Sequence, residues 1–525
     1  MLLKPGKKVL RSNNGFLSIT QDSDIVLTFR VRGTCFPAKT VQGGTTTASY
    51  RFDSANNIDN IVYINYHDGT GEHAYTLKAS GSTRRIDFRN LANGTTPAAI
   101  QGTGTFDETV HFYQDLPPEV IGTVQETYPV FRDVTIRFER PQSITQIQID
   151  RTRVWGAISS GVSKLRNLEI LLFRDFLNID AFAQDFYNSS IRSLTLSNIG
   201  SVMANGLPLW IVNSNFLRTL VLTSSVDLSG SPVTKRLAQI NKLKDTLVNL
   251  NLQDTGIDYV LPDEFGELNN LRVLTLTGNL STSLRFPTDL SELTSLEELL
   301  IQDTRMPFAE IERIIQGVPS LTWLRMVRCL YNSNYDFAED NYTMKDIRIG
   351  YQQWNSGAVP SFISRLKALE RLVITGDNIS TVYSGLTSYG DFSACTELQH
   401  IAVGRMSNFQ STIPSWFTGL TKLSSMTFFA SFQNTGGIDA FVNNFYDFVV
   451  ANASMTSGDT PFRNMTMNGY STNATDQVNS TRPSGTYQQP SGYVQGSNNG
   501  TPSSPMEKIW VLSNQYGHTW SVKPA

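Results

Sequence analysis

The stretch VPSFISRLKALERLVIT, residues 359–375, contains the pattern that decides the fold. In it, Pro360 stands nine residues before Leu369, which opens an L-x-x-L-x-L run. A proline fixes a helical φ and lacks the N–H that an early helical turn leaves unbonded, so it predicts a short turn or helix. The last two apolar positions of the run have the period of a strand. The same spacing joins Pro208 to Leu217, Pro262 to Leu271, Pro287 to Leu296 and Pro414 to Leu423.

The L-x-x-L-x-L run recurs along the chain at steps of 23 to 30 residues, with one final step of 39. Recurrence at such a period predicts a solenoid, in which each unit buries its apolar face only against its neighbours. We therefore expect parallel strands on one face and short helices or turns on the other. The runs begin at Ile144, Leu168, Ile191, Leu217, Leu247, Leu271, Leu296, Leu321, Met344, Leu369, Leu398, Leu423 and, after an insertion, Phe462.

Over residues 144–467 the chain resembles the leucine-rich repeat family, and stretches such as 359–369 are similar to that family's proline-led segment. The resemblance implies an α/β solenoid with parallel strands on a concave face and short helices or turns on a convex face. It also implies an asparagine shortly after each strand. Asn279 has that place in its run and Cys329 takes it in another, whereas most runs have neither residue.

Residues 1–140 predict a separate β-rich domain. Alternating runs, such as Ile25 to Val31 and Ile61 to Tyr66, are separated by clusters of Gly, Asn, Asp and Thr. The segment His67–Tyr75, HDGTGEHAY, resembles the D-G-x-x-x-x-H-x-Y stretch of polycystic-kidney-disease-type β-sandwich domains, where it makes a turn between strands. That resemblance implies a sandwich-like domain used for docking or spacing.

A third region, residues 453–525, follows the predicted solenoid domain of residues 141–452. From Ala453 to Pro505 it is rich in Ser, Thr, Asn, Gly and Pro, a composition that ordinarily means disorder because little apolar surface is available for burial. The runs Lys508 to Leu512 and His518 to Val522 predict a terminal β-hairpin. We expect that hairpin to cap the last strand of the solenoid, an edge otherwise open to another chain.

The composition excludes some classes of function. Charged residues make up 17% of the 525 residues, and the formal net charge of −3 offers no basic surface for nucleic acid. No segment reaches the ~18 to 20 apolar residues of a membrane span, and Met1 to Asp24 lacks the apolar core of a signal peptide. Cys35, Cys329 and Cys395 are too few for a disulfide framework, and we expect Cys329 to pack in the core.

No catalytic or cofactor motif stands out, so the sequence predicts a non-enzyme with no cofactor and no metal site. The five histidines do not pair with a cysteine or a carboxylate at metal-ligand spacing. The chain has no P-loop, no G-x-S-x-G and no dinucleotide fingerprint. Asp254, Asp303 and Asp377 follow strands at similar positions, and we interpret them as partners of turn backbone groups.

The predicted strands also define a candidate contact surface. Residues two, four and six positions after the start of each run point away from the core and form the concave face. Early runs place small polar residues there, such as Thr219 and Asn251, whereas later runs place Trp and Arg, which most often dominate binding energy. The alternative is that Trp323 packs under the next loop and that the arginines are only solvated. The candidate partner-binding residues are Glu298, Trp323, Arg325, Arg348, Arg371 and His400.

Two functions fit these features. The first is a structural or adhesion component of a bacteriophage particle, such as a tail, baseplate or head appendage, located in the virion. The low charge, the missing signal peptide and the order of β domain, solenoid and tail favour it, and the segment from Gly492 to Trp520 resembles the ends of some phage virion proteins. The alternative is a bacterial cytoplasmic interaction protein or effector. A third hypothesis, a glycan-degrading enzyme, would need paired acids in a cleft.

The partners expected for either of the first two functions are proteins, such as other particle subunits or a host surface receptor. A glycan ligand and an oligomer are left open. Nucleic acid and membrane insertion are not expected, for the reasons of charge and hydropathy given above.

Overall fold

The computed structural model forms two compact units, residues 1–256 and 257–525, each considered by itself. The residues that it describes are 11–12, 15–16, 25–32, 48–54, 60–65, 72–77, 84–88, 131–150, 154–158, 160–174, 178–182, 190–199, 206–231, 235–278, 284–304, 306–329, 336–352, 357–376, 386–404, 410–428, 431–432, 435–452, 463–470 and 480–525.

The first unit consists mainly of strands. They are β1 (Arg11–Ser12), β2 (Gly15–Phe16), β3 (Val26–Arg32), β4 (Ala48–Ser54), β5 (Asn60–Asn65), β6 (Glu72–Leu77), β7 (Arg84–Phe88), β8 (Phe131–Phe138), β9 (Ile144–Asp150), β10 (Val154–Ile158), β11 (Ile170–Arg174), β12 (Asn178–Phe182), β13 (Ser193–Ser197), β14 (Thr219–Thr223) and β15 (Asn249–Leu252), with the short helix α1 (Leu209–Val212) before β14. One sheet has the order β12-β10-β3-β8-β5-β6, and β1 pairs with β2. A ladder runs β7-β4-β9-β11-β13-β14-β15 and is parallel from β9 onward.

Strand pairing crosses the domain boundary predicted at residues 140 and 141. β4 pairs antiparallel with β9, so that Tyr50 faces Ile149, and β3 pairs with both β8 and β10. Apart from β1 and β2, which pair with each other, the described strands before residue 140 therefore share their sheets with strands that follow it. The boundary stays a prediction, and the pairing does not confirm a separate sandwich. β5 and β6 pair antiparallel on either side of residues 67–71, which lie outside the described part of the chain.

The second unit contains strands and three longer helices. The strands are β16 (Val273–Thr277), β17 (Glu298–Gln302), β18 (Trp323–Val327), β19 (Asp346–Gln352), β20 (Gly357–Ala358), β21 (Arg371–Gly376), β22 (Leu386–Ser388), β23 (His400–Gly404), β24 (Ser425–Thr427), β25 (Thr466–Asn468), β26 (Ser491–Val494), β27 (Asn498–Thr501) and β28 (Thr519–Ser521); the helices are α2 (Phe308–Gly317), α3 (Thr435–Asn452) and α4 (Pro505–Tyr516). A parallel ladder has the order β16-β17-β18-β19-β21-β23-β24-β25-β28.

Every predicted L-x-x-L-x-L run supplies a strand to the ladder of its unit, so the predicted solenoid is confirmed. The second and third apolar residues of neighbouring runs lie in register: Leu299 faces Leu324, and Ile301 faces Met326. These side chains are at most 1% exposed. Since a fully buried aliphatic side chain contributes roughly 1.5–3 kcal/mol relative to an exposed one, each residue of these columns contributes to the stability of the ladder.

The prolines stand one residue before the turns rather than inside them. Pro208 precedes α1 and Pro307 precedes α2, while Pro262, Pro360 and Pro414 precede 3-10 turns. Their φ angles lie between −65° and −54° and their ψ angles between 136° and 154°, which is extended backbone. The prediction of a proline-led turn is confirmed at Pro208, Pro262, Pro360 and Pro414, although the proline fixes the entry to the turn instead of its first residue. It is wrong at Pro287, which no helical turn follows directly.

Small buried polar residues fill the place where the resemblance implied asparagine. Thr255, Thr304, Cys329 and Ser431 each stand eight residues after the start of their run and are at most 2% exposed. Cys329 Sγ lies 3.7 Å from the Ile301 carbonyl oxygen, and Ser431 Oγ donates to the Val403 carbonyl at 2.6 Å. The Cys329 thiol and the Ser431 hydroxyl thus reach carbonyls of the preceding rung, and the expectation that Cys329 packs in the core is confirmed.

The C-terminal segment departs from its prediction. Lys508 to Leu512 lie in α4, and β28 pairs parallel with β25, so the hairpin predicted for residues 508–522 is wrong. The helix begins because Ser504 Oγ accepts a hydrogen bond from Glu507 N and Pro505 follows the cap, and it ends at Gly517, whose φ is +73°. β28 is an additional rung, and a hairpin occurs earlier, between β26 and β27.

An aromatic cluster packs beside these last rungs. Phe441 and Phe445 of α3 meet Phe428, at 4.7 Å, and Trp520 of β28, at 5.9 Å, between ring centroids. Trp520 stands in register with Met467, the last predicted core residue. The ladder therefore ends in aromatic packing contributed by a helix and by the extra rung. None of the described helices has both the length and the apolarity to cross a membrane.

Candidate binding surface

The outward residues of the second unit's ladder form two adjacent rows. Strand register places Glu298, Trp323, Asp346, Arg371 and His400 side by side in the first row. The second row begins two residues later and contains Leu300, Arg325, Arg348, Val373 and Ala402. Because the ladder fixes these positions at about 4.8 Å per strand, the side chains are presented by a rigid backbone. We name Trp323, Arg325, Asp346, Arg348 and Arg371 the arginine patch.

Asp346 organises the arginine patch. Its carboxylate accepts hydrogen bonds from Arg348 Nε at 2.9 Å and Nη2 at 2.7 Å, and Arg371 Nε lies 3.9 Å away on the next strand. The Asp346 side chain is 19% exposed, less than either arginine. A two-pronged carboxylate contact restricts the orientation of the guanidinium group. Asp346 therefore fixes Arg348 directly and attracts Arg371.

Arg348 in turn covers the ring of Trp323. Its guanidinium carbon lies 5.4 Å from the ring centroid, within the range of a cation–π interaction. Trp323 is half-buried. The alternative in which the arginines are only solvated is thus wrong for Arg348, because this side chain contacts both Asp346 and Trp323.

Arg325 and Arg371 present the exposed charge of the patch. Both side chains are exposed, and Arg325 makes no ion pair with any residue in the described part of the chain. Arg325 stands directly opposite Arg348 in the ladder. For Arg325, then, the structure agrees with a solvated cation that is available to a partner.

His400 adds no charge at neutral pH. Burial lowers the pKa of His400 to about 4, and the neighbouring Arg371 acts in the same direction. With three arginines and one aspartate, the arginine patch has a formal charge of +2, against −3 for the whole chain. Glu298 lies in the same row beside Trp323 and is exposed, so it forms an acidic border.

Five of the six predicted contact residues occupy adjacent strands from β18 to β23, and Glu298 begins β17 beside them. Their role in binding stays a prediction. The prediction missed Asp346, which holds the patch together. Asp346 stands two residues after Met344, the same outward position that identified Trp323 and Arg371, so the register rule itself could have found it.

Two of the three acidic residues singled out in the sequence also lie among the described residues. The described residues contain no group of three His, Cys, Asp or Glu side chains arranged to hold a metal ion. Asp254 and Asp303 follow their strands with left-handed backbone, at φ angles of 53° and 50°. Asp303 pairs with Arg328 and accepts from Gln302 Nε2 at 2.8 Å, so its carboxylate is engaged by neighbouring side chains. Asp377 lies outside the residues described.

Comparison with known proteins gives matches among solved structures. No protein-family model matches the chain, and no curated protein matches it. An internalin of Listeria monocytogenes is 17% identical, over 58% of this chain and 79% of the internalin, with a TM-score of 0.40. A leucine-rich repeat protein of Leptospira interrogans is also 17% identical, over 52% of this chain and 75% of its own, with a TM-score of 0.33.

A third similar structure is the leucine-rich repeat ectodomain of a plant membrane receptor kinase from Arabidopsis thaliana, in complex with Casparian strip integrity factor 2. It is 17% identical over 55% of this chain, with a TM-score of 0.33, and the match spans 36% of that ectodomain. In the present chain, the in-register leucine columns and proline-led turns decide the architecture. The fold is a leucine-rich repeat solenoid.

Proposed function

We propose that this leucine-rich repeat chain is a non-enzymatic binding protein that holds a protein partner against the arginine patch. One observation carries the proposal: Asp346 fixes Arg348 of β19 over Trp323, while Arg325 and Arg371 stay exposed on the two strands that flank β19. Trp and Arg are the residue types most often responsible for binding energy, and a fixed orientation lowers the entropy lost on association.

The charge of the patch favours a partner surface that carries carboxylates. A local charge of +2 attracts an acidic segment, and the association rate should fall as salt screens the attraction. The backbone groups of interior strands already pair with their neighbours in the ladder. Recognition on this face therefore depends on side chains.

The experiment compares Trp323→Ala and Arg348→Ala with a matched control, Tyr342→Ala, which removes an aromatic side chain that is 71% exposed. A partner is isolated with the full chain, purified and titrated calorimetrically against each protein. We expect at least a tenfold weaker Kd for both patch variants and an unchanged Kd for the control. Equal affinity for all four proteins would show that the partner binds elsewhere.

We further propose that the chain is a component of a bacteriophage particle. The low content of charged residues, 17%, and the abundance of Asn, Ser, Thr and Gly support this assignment. An intracellular bacterial interaction protein is the alternative. Neighbouring genes for portal, capsid or tail proteins, together with antibody labelling of purified particles, would support the first. Neighbouring secretion-system genes and unlabelled particles would support the second.

A further inference from the structure

The segment Ser484–Thr501 of the second unit has an unusual surface. No charged residue occurs between Arg482 and Glu507. The segment comprises an irregular strap, Ser484–Pro490, and the hairpin of β26 and β27. We name Ser484–Thr501 the neutral platform. It lies outside the arginine patch, and its composition of Tyr, Gln, Asn, Ser and Gly is that of adaptable recognition loops.

Carboxylates of α3 and α4 accept hydrogen bonds from the neutral platform. The Asp439 carboxylate of α3 accepts hydrogen bonds from Ser484 N at 2.8 Å and Ser484 Oγ at 2.6 Å. The Glu507 carboxylate of α4 accepts from Gln488 Nε2 at 2.8 Å. The platform is thus tied at its start and in the middle of the strap.

The hairpin is tied to the other end of α4. Gln515 Oε1 accepts from Tyr493 Oη at 3.1 Å and from Gly496 N at 2.8 Å, and the Tyr493 ring meets Trp510 edge-on at 4.8 Å. Glu507 and Gln515 are eight residues apart, or about 12 Å along the helix axis. The strap and the hairpin are therefore attached to the same helix, the strap at Glu507 and the hairpin at Gln515.

Two of the platform's glycines combine a left-handed backbone with close packing. Gly485 has a φ of +94°, and a Cβ there would stand 2.3 Å from Ser504 Oγ. Gly500 has a φ of +71°, and a Cβ there would stand 2.6 Å from the Ser491 carbonyl oxygen. The close packing of the backbone at these two glycines, together with the hydrogen bonds to α3 and α4, holds the platform in place, so its outer surface is preorganised.

Several other side chains of the platform face solvent. Tyr487 is 48% exposed and Val494 is 54% exposed, and Gln489, Gln495 and Asn498 are exposed as well. The set offers one aromatic ring, one aliphatic group and several amides, each of which can both donate and accept hydrogen bonds. The outer surface has no ionised group with which to select a charged ligand.

We propose that the neutral platform binds an uncharged glycan. Sugar hydroxyls donate and accept as amides do, and the C–H face of a sugar ring packs on an aromatic ring such as that of Tyr487. Two exposed apolar side chains are too few for the apolar centre of a protein interface, which buries roughly 800 Å² on each partner. Fixing the loops in advance reduces the ordering cost of ligand binding.

The test applies the full chain to an immobilised panel of neutral oligosaccharides of hexoses and N-acetylhexosamines, with sialylated counterparts. Tyr487→Ala is compared with Tyr342→Ala, which removes an exposed tyrosine elsewhere in the same unit, and with Trp323→Ala of the arginine patch. We expect wild type to bind at least one neutral oligosaccharide, Tyr487→Ala to bind at least fivefold more weakly, and both other variants to bind as wild type does. Circular dichroism and an unchanged urea midpoint confirm that Tyr487→Ala is folded.

Three results would overturn the proposal: no binding to any neutral oligosaccharide, preference for the sialylated ones, or equal binding by wild type and Tyr487→Ala. Loss of a purified protein partner in Tyr487→Ala, without glycan binding by wild type, would assign the platform to a protein instead. Because Trp323 is not part of the platform, failure here leaves the proposed function of the arginine patch intact.

Discussion

Arg348 is positioned by Asp346, two residues earlier on the same strand, through hydrogen bonds of 2.9 and 2.7 Å. The Asp346 hydrogen bond raises the pKa of Arg348, so the guanidinium stays charged at any working pH. The contact also keeps this cation over Trp323, on the preceding strand. One carboxylate thus determines where a neighbouring cation can meet a partner.

Replacing Asp346 by Asn should release Arg348 from this orientation and leave Arg348 and Arg371 without the carboxylate that both approach. We expect the free energy of unfolding to fall by about 0.5–1 kcal/mol, the range for a partly exposed ion pair. Urea unfolding of Asp346→Asn, Arg348→Met and the double variant measures the coupling between the two side chains. Additive effects of the single substitutions would contradict the pairing.

The leucine columns predict a large cost for a cavity in the second unit. Leu324 is 1% exposed and lies between Leu299 and Ile347 in the ladder. Leu324→Ala should lower the free energy of unfolding by about 2–5 kcal/mol. The matched control is Leu209→Ala, because Leu209 is 51% exposed and its loss should change stability by less than about 0.5 kcal/mol. Similar denaturation midpoints for the two variants would contradict this account.

Asp227 predicts a pH dependence in the first unit. Hydrogen bonds from Lys235 and Ser229 lower the pKa of Asp227 from its ordinary 3.8 to about 2. Since the folded-state pKa is the lower one, the contribution is complete above about pH 4 and is lost as the pH falls toward 2. Asp227 is 35% exposed, so solvent screening limits the effect to about 1 kcal/mol.

The free energy of unfolding of Asp227→Asn at pH 7 should therefore be lower than that of wild type by up to about 1 kcal/mol. The difference in urea unfolding should shrink between pH 4 and pH 2. A difference that does not depend on pH would rule out the carboxylate as its source.

Cys395 should be chemically inert in the folded chain. Burial raises the pKa of its thiol to about 12, and its Sγ lies 3.0 Å from the Ile363 carbonyl oxygen. Only the thiolate reacts with Ellman's reagent, so neither Cys395 nor the buried Cys329 should react at pH 8 until the chain is unfolded. A Cys35→Ser background isolates these two thiols. Rapid labelling of the folded protein would contradict the burial.

Glu507 should control the order of the neutral platform. Hydrogen bonds from Gln488 and Ser503 lower the pKa of Glu507, so these contacts weaken as the pH falls through that lowered value. Glu507→Gln removes one acceptor and adds a donor facing Gln488 Nε2 and Ser503 N. Limited proteolysis at pH 7 should cut residues 484–501 several-fold faster in the variant. Unchanged cleavage would mean that Asp439 and Gln515 suffice to hold the segment.

The repeats could be predicted because their information is local. Leu372 and Ile374 need only the right spacing from Leu369 to enter the core, and neighbouring runs then align by register. Near the C-terminus, Ile509, Trp510 and Val511 are residue types common in strands, and they favoured the wrong element. Ser504 and Pro505 before them and Gly517 after them are helix-capping signals, and this segment is a helix.

The candidate surface was predictable in position but not in contacts. Strand register alone places Trp323 and Arg348 on one face. The hydrogen bonds from Arg348 to Asp346, in contrast, depend on side-chain rotamers. Composition misjudged residues 480–505 for a related reason. Few apolar groups are buried there, but Asp439 of α3 and Glu507 and Gln515 of α4 accept hydrogen bonds from the segment, which the composition of the segment itself does not reveal.

The pairing of β28 with β25 has a consequence for synthesis on the ribosome. Residues 469–518 separate the two strands, so a nascent chain completes β25 long before its neighbour exists. Until then the strand edge beside Met467 is open to chaperones and to other nascent chains. A product that stops before residue 519 would keep that edge and lack Trp520. Chaperones could therefore distinguish chains that stop before residue 519 from chains that contain β28, because only the former expose the edge of β25.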